Sequence, residues 1–130
     1  MLNSAVRAAL VILLVSPLTF PLMAFAPQTQ KKQVRHIVVF KYKAGTTPEQ
    51  TAQVTTAFRE LAKTIPGITG FEDGVNNSPE KRNLGFTHVY MVTFEDAKAR
   101  DAYLPHPEHK KFGQLLGSLG VVEDVFVVDF

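Results

Sequence analysis

The stretch "YLPHPEHKKF", residues 103–112, gathers one of three tyrosines and two of the four histidines in the chain around two prolines. Histidine is the side chain whose ordinary pKa lies nearest neutrality, so it can take up or release a proton at pH 7. A helix that begins at Pro107 makes His109 its third residue. The partial positive charge of a helix N-terminus disfavours imidazolium there, and a neutral imidazole is what a general base requires. His109 is therefore the candidate base. Tyr103 is its candidate partner, able to donate a hydrogen bond to the histidine or to an oxygen on which negative charge builds. His36 and His88, each in a strand-like segment, are candidates to orient a polar group of a bound molecule, with His106 at the helix break beside them. Each has a plainer reading. A histidine on the inner face of a strand can be a satisfied polar core group, His106 can serve only the backbone at the break, and Tyr103 and Phe112 can be packing residues.

Other chemistries find little support. His106 and His109 lie three apart, and imidazole suits zinc, but no cysteine and no H-E-x-x-H motif accompanies them, so no metal site is assigned. No Gly-rich phosphate loop, nucleophile elbow or dinucleotide fingerprint occurs, and no cofactor is expected. The absence of cysteine rules out disulfides and thiolate chemistry. With 14 Lys+Arg against 12 Asp+Glu, the net charge of +2 leaves no electrostatic footprint for nucleic acid. The cluster Lys31, Lys32 and Arg35 reads as a solvated stub.

The elements that must position these residues follow from periodicity. "VRHIVVFKYK" (34–43) is a strand with His36, Val38, Phe40 and Tyr42 on one face and Ile37 and Val39 on the other. Thr47, Pro48 and Gln50 form a helix start with a capping box. Val54, Phe58, Leu61 and Ile65 continue it as a buried stripe, which Pro66 and Gly67 end. Residues 68–76 read as a weaker strand and 77–85 as a polar loop. Residues 86–94 form a strong strand with His88, Tyr90, Val92 and Phe94 on one face. Asp96 caps a helix running to Leu104. Pro105 and Pro107 interrupt it, because proline lacks the N–H and clashes one turn back. A further helix then presents Phe112, Leu115, Leu116 and Leu119. In the last strand, 120–130, Val122, Phe126, Val128 and Phe130 share one face, with Val121, Val125 and Val127 on the other.

The order is β-α-β-β-α-β, an α+β ferredoxin-like arrangement with a four-stranded antiparallel sheet. Helices can cover only one face of that sheet, yet strands one, three and four are apolar on both. A bare apolar face implies a partner, and a symmetric homodimer packed sheet to sheet is the expected one. Strands one and three are adjacent in this topology. His36 and His88 are thus expected near one another, with all four imidazoles and Tyr103 converging on one pocket between sheet and helices. That pocket is expected to take a small ligand.

Residues 1–26 differ from the rest. Arg7, the apolar run "AALVILLV" (8–15) and small residues at Ala24 and Ala26 describe a secretory signal peptide. A spanning helix needs about 20 apolar residues, and Pro17 and Pro21 weaken one here. Cleavage after Ala26 would leave Pro27 beside the cut, so cleavage after Ala24 or retention as an uncleaved anchor are the alternatives. Only that anchor would bring the protein to a membrane. The expected location is secreted or periplasmic. Residues 27–33 read as a flexible tether to a domain spanning 34–130.

"RHIVVFKYK", "GFTHVYMVTFED" and "RDAYLPHPEHKKF" together resemble the stress-responsive A/B barrel domain, the dimeric α/β-barrel family, over residues 34–130. The last motif carries most: an aromatic residue, two residues, H-P-x-H, then Phe after two more. The resemblance implies a ferredoxin-like subunit that dimerises through its sheet. One plant branch of the family is a polyketide cyclase running a cofactor-free aldol cyclisation with a histidine base and a tyrosine partner. Those roles carry over onto His109 and Tyr103, and the supporting pocket histidines onto His36 and His88. A pocket tyrosine of the first helix corresponds to Phe58 here, and the leader is foreign to that branch. Other members are stress-associated proteins without an assigned reaction, so a non-catalytic structural dimer is the rival reading.

Overall fold

β-Branched and aromatic residues make Val34–Tyr42 the first strand, β1. A computed structural model describes residues 32–130; the expected leader, 1–26, and residues 27–31 of the expected tether lie outside them. After β1 the capping box forms as the sequence requires. The Gln50 N–H donates to Thr47 Oγ1 at 3.3 Å, and the Thr47 N–H donates to Gln50 Oε1 at 2.9 Å. They open α1, Pro48–Thr64. Gly67 then turns the chain at φ +85°, and a Cβ there would meet Ala99 Cβ at 2.6 Å, so both backbone and space demand glycine. β2 (Ile68–Val75) and β3 (His88–Phe94) follow. Asp96 caps α2, Ala97–Tyr103, by accepting from the Ala99 N–H at 2.9 Å. The prolines then divide the second helical region into α2 and α3, Pro107–Leu119. Gly120, at φ +62°, ends α3 before β4, Val122–Asp129.

The four strands pair antiparallel in the order β2-β3-β1-β4. The α+β class and the β-α-β-β-α-β order are as read from the sequence, with the second α position occupied by two helices. Val38, Phe40, Tyr90, Val92 and Phe94 meet Val54, Phe58, Leu61 and Ile65, and Tyr103 and Phe112 join them, to form the core. Burying each large apolar side chain contributes roughly 1.5–3 kcal/mol. On the opposite face Ile37, Val39, Val89 and Met91 are half-buried, and Phe126 and Phe130 are exposed.

One facing assignment is corrected. Lys41 pairs with Asp124 but Tyr42 pairs with Val122, so a bulge interrupts β4. The extra residue breaks the period of two. Val122 therefore sits with Tyr42 on the helix side and packs against the core, not with Phe126 and Val128. Val125 and Val127 stand opposite Phe40 and Val38 on that same side. They remain 43% and 50% exposed, because β4 is an edge strand and α3 packs on α1. Among the described residues no helix is long and apolar enough to cross a membrane.

Candidate functional site

A cavity of about 280 Å³ lies where the helix layer fails to close over β1 and β4. Val38, Phe40 and Val127 of the sheet, Phe58 of α1, and Phe112 and Leu116 of α3 supply apolar walls. His36, Tyr103 and His109 are its polar members. Alternation along β1 turns His36 inward. Tyr103 is the last residue of α2, and the proline break lets α3 start in a new direction with His109 in its first turn. The Tyr103 and His109 rings are 4.4 Å apart, and those of His36 and Tyr103 5.9 Å.

Hydrogen bonding sets the proton positions. His109 Nδ1 lies 3.0 Å from the Leu104 carbonyl, which can only accept. Nδ1 therefore carries the proton, and Nε2 of the neutral ring is left as a lone pair. The Tyr103 hydroxyl has no hydrogen-bond partner among the described residues, although the side chain is only 1% exposed. Burial holds its pKa above the ordinary phenol value, so it stays a donor through the neutral range. An imidazole with an acceptor nitrogen and an unengaged phenol thus line one largely apolar cavity. That arrangement can remove a proton from a bound molecule and hydrogen-bond the oxygen where charge develops.

Two groups here escaped the sequence reading. His36 Nδ1 donates to Asp129 Oδ1 at 2.6 Å, and Arg100 engages the other Asp129 oxygen while its Nε donates to Asp101 at 2.7 Å. Asp129 fixes the His36 tautomer and ring orientation. Its only sequence signal is a lone carboxylate closing an otherwise apolar "VFVV" run. The partnership depends on His36 facing Asp129 across the β1–β4 pairing, which no local pattern encodes.

His36, Tyr103, His109 and Phe58 come together, but the expected convergence of all four imidazoles is corrected. The β1–β3 register sets His88 opposite Phe40 and sets His36 opposite Val92. His88 therefore lies four residues along the sheet from His36, about 13 Å at the strand rise. It lines a second cavity, with its Nδ1 2.9 Å from Thr87 Oγ1 and its ring edge-on to Tyr42. Burial lowers its pKa. His106 is the N-cap of α3, its Nδ1 accepting from the Glu108 N–H at 3.2 Å, and it lines neither cavity. Capping satisfies a helix N–H that the proline break would otherwise leave unpaired. Among the described residues no group of three or more His, Asp or Glu side chains is placed to hold a metal ion.

The fold and this cavity define a class: a ferredoxin-like α+β domain with one helix layer over a four-stranded sheet and an imidazole–phenol pair at the gap. The chain belongs to the stress responsive A/B barrel domain family, whose model matches residues 34–130. It is 30% identical over 100 residues to the stress-response A/B barrel domain-containing protein HS1 of Arabidopsis thaliana, covering 77% of this chain and 90% of that one. It is 28% identical to the olivetolic acid cyclase of Cannabis sativa, covering 75% of this chain and 94% of the relative. Among solved structures, the hydroxynitrile lyase of Passiflora edulis superposes with a TM-score of 0.68 at 26% identity, over 76% of this chain and 92% of that one. A dimeric ferredoxin-like protein from a Jannaschia species gives 0.64 at 26% identity, over 76% and 98%. Proteins named for a cyclase and a lyase activity are thus among those that this chain resembles.

Proposed function

We propose that this protein is an exported homodimer that binds a small, partly apolar molecule between sheet and helices and carries out cofactor-free acid–base chemistry on it. The observation that carries the reading is the Leu104 carbonyl bound to His109 Nδ1, which leaves Nε2 as an acceptor beside the unengaged Tyr103 hydroxyl. In this reading His109 abstracts a proton next to a carbonyl, and Tyr103 donates to the oxygen. The apolar walls hold the rest of the molecule. The cyclase and lyase among the relatives support a reaction of this kind.

A thermal-shift screen of phenolic and keto compounds tests the reading, since a ligand that binds only the folded state raises Tm. His109→Ala is expected to abolish turnover of a compound so found and to leave Tm nearly unchanged. Wild-type turnover in the variant ends the assignment. A second reading, a non-catalytic stress-associated dimer, draws on the structural employment of His36 by Asp129 and of His106 as a cap. It expects His109→Ala to lower Tm and to affect no ligand.

The homodimer reading rests on the bare sheet face, where Val39 lies between Val89 and Phe126, and on dimeric structural neighbours. Val39→Glu should give monomer or aggregate in sedimentation. A stable wild-type monomer at micromolar concentration contradicts the dimer. Export rests on residues 1–26, and a fractionated culture holding all full-length protein in the cytoplasm contradicts it.

A further inference from the structure

His88 lines a cavity that the reading above does not use. It holds about 310 Å³ between the first half of α1 and the strands β2 and β3. Phe40, Phe58 and Tyr90 stand between it and the first cavity, with ring centroids 5.0 Å apart for Phe58–Tyr90 and 5.2 Å for Phe40–Tyr90. We infer that this second cavity is a binding site for a neutral, polyhydroxylated small molecule, a polyol or monosaccharide.

The argument is an inventory of the polar groups. The Tyr90 hydroxyl is held between Thr55 Oγ1 at 2.8 Å and the Tyr42 hydroxyl at 3.2 Å, so it forms a fixed wall. Arg59 Nη2 donates to Asp73 Oδ1 at 2.7 Å. That pair uses one donor and one acceptor and leaves the second Asp73 oxygen and further guanidinium N–H groups without a partner among the described residues. Thr56 Oγ1 and His88 Nε2 are likewise unengaged among them.

The cavity thus offers donors and acceptors side by side. The Arg59 and Asp73 charges cancel, and burial favours the neutral form of His88. An anion would meet the Asp73 carboxylate and a cation the Arg59 guanidinium. A ligand whose hydroxyls both donate and accept satisfies both at once. Val75, exposed at the rim, offers an apolar surface to the C–H face of such a ligand. The volume is at the lower end of the roughly 300–1,000 Å³ of ligand pockets, which suits a molecule of monosaccharide size.

The test is an NMR titration of the imidazole C–H signals of the full-length chain with myo-inositol and glucose, and in parallel with acetate and citrate. A saturable shift of His88 with the neutral polyols, and none at His109, is expected. Thr56→Val and Asp73→Ala should each weaken that binding about tenfold with Tm preserved, because both residues are at the surface. The site is refuted by the absence of a saturable His88 response to polyols, by equal shifts at His88 and His109, or by binding that both variants leave intact. A stronger response to the carboxylates overturns the ligand class.

Discussion

The two cavities share the wall formed by Phe40, Phe58 and Tyr90, yet their linings have opposite character. On the β1–β4 side, valine, leucine and phenylalanine surround two imidazoles and one phenol. On the β2–β3 side, threonine hydroxyls, an ion pair, an imidazole and a phenol line the space. The same helix serves both: α1 places Phe58 toward the first cavity and Thr51, Thr55, Thr56 and Arg59 toward the second. The roles of the two buried tyrosines differ accordingly. The Tyr90 hydroxyl is bonded on both sides, and the Tyr103 hydroxyl has no partner among the described residues. One polar group is satisfied within the architecture and the other is unengaged among the described residues.

The largest effect should come from breaking the shared wall. Phe58 is 2% exposed and packs on Phe40, Phe71, Tyr90 and Phe112. Phe58→Ala should cost about 3–5 kcal/mol in urea unfolding, since it removes burial and leaves a void where the cavities meet. A loss of under about 1 kcal/mol would mean that the neighbours collapse into the gap, leaving the two sites separate.

A smaller and more selective comparison uses the tyrosines. Tyr90→Phe removes a hydroxyl with two internal partners and should cost about 1–2 kcal/mol by urea denaturation. Tyr103→Phe should leave stability almost unchanged, while turnover or affinity at the first cavity falls. Equal stability losses in the two variants would erase the distinction between a structural and an available phenol.

The smallest effect is in the pH dependence. Burial lowers the His88 pKa, so the folded chain binds fewer protons than the unfolded one between that lowered value and the unfolded reference of about 6.5. Stability is then fully present above about pH 6.5, falls as pH drops through that window, and levels off below the folded pKa. His88→Gln should flatten this part of the curve in urea unfolding measured from pH 7.5 to pH 5. An unchanged slope in the variant would show that His88 is not its source.

Local features of the fold were legible because their causes are local. The Thr47–Gln50 capping box, the stripe Val54–Phe58–Leu61–Ile65, the Asp96 cap and the break at Pro105 and Pro107 depend on neighbours within about one helical turn, and each is present. That His36 shares a face with Val38 and Phe40, and Tyr90 with Val92 and Phe94, follows from strand alternation, while the side the helices cover does not. The phase of β4 did not follow from it, because the bulge at Glu123, between the pairings of Val122 and Asp124, breaks the period of two on which a facing assignment rests.

For the candidate site, the sequence by itself determined which side chains can handle protons and that His109 begins a helix just after a proline break. Which of them meet was decided by tertiary structure. Strand register separates His88 from His36 and brings Asp129 to His36. Register is a property of pairs of segments far apart in the chain: His36 and Asp129 are 93 residues apart. The period of two states which face a residue occupies but not how far along a neighbouring strand it lies. The β1–β3 pairing fixes that displacement, and with it the four histidines are divided between two cavities and a helix cap.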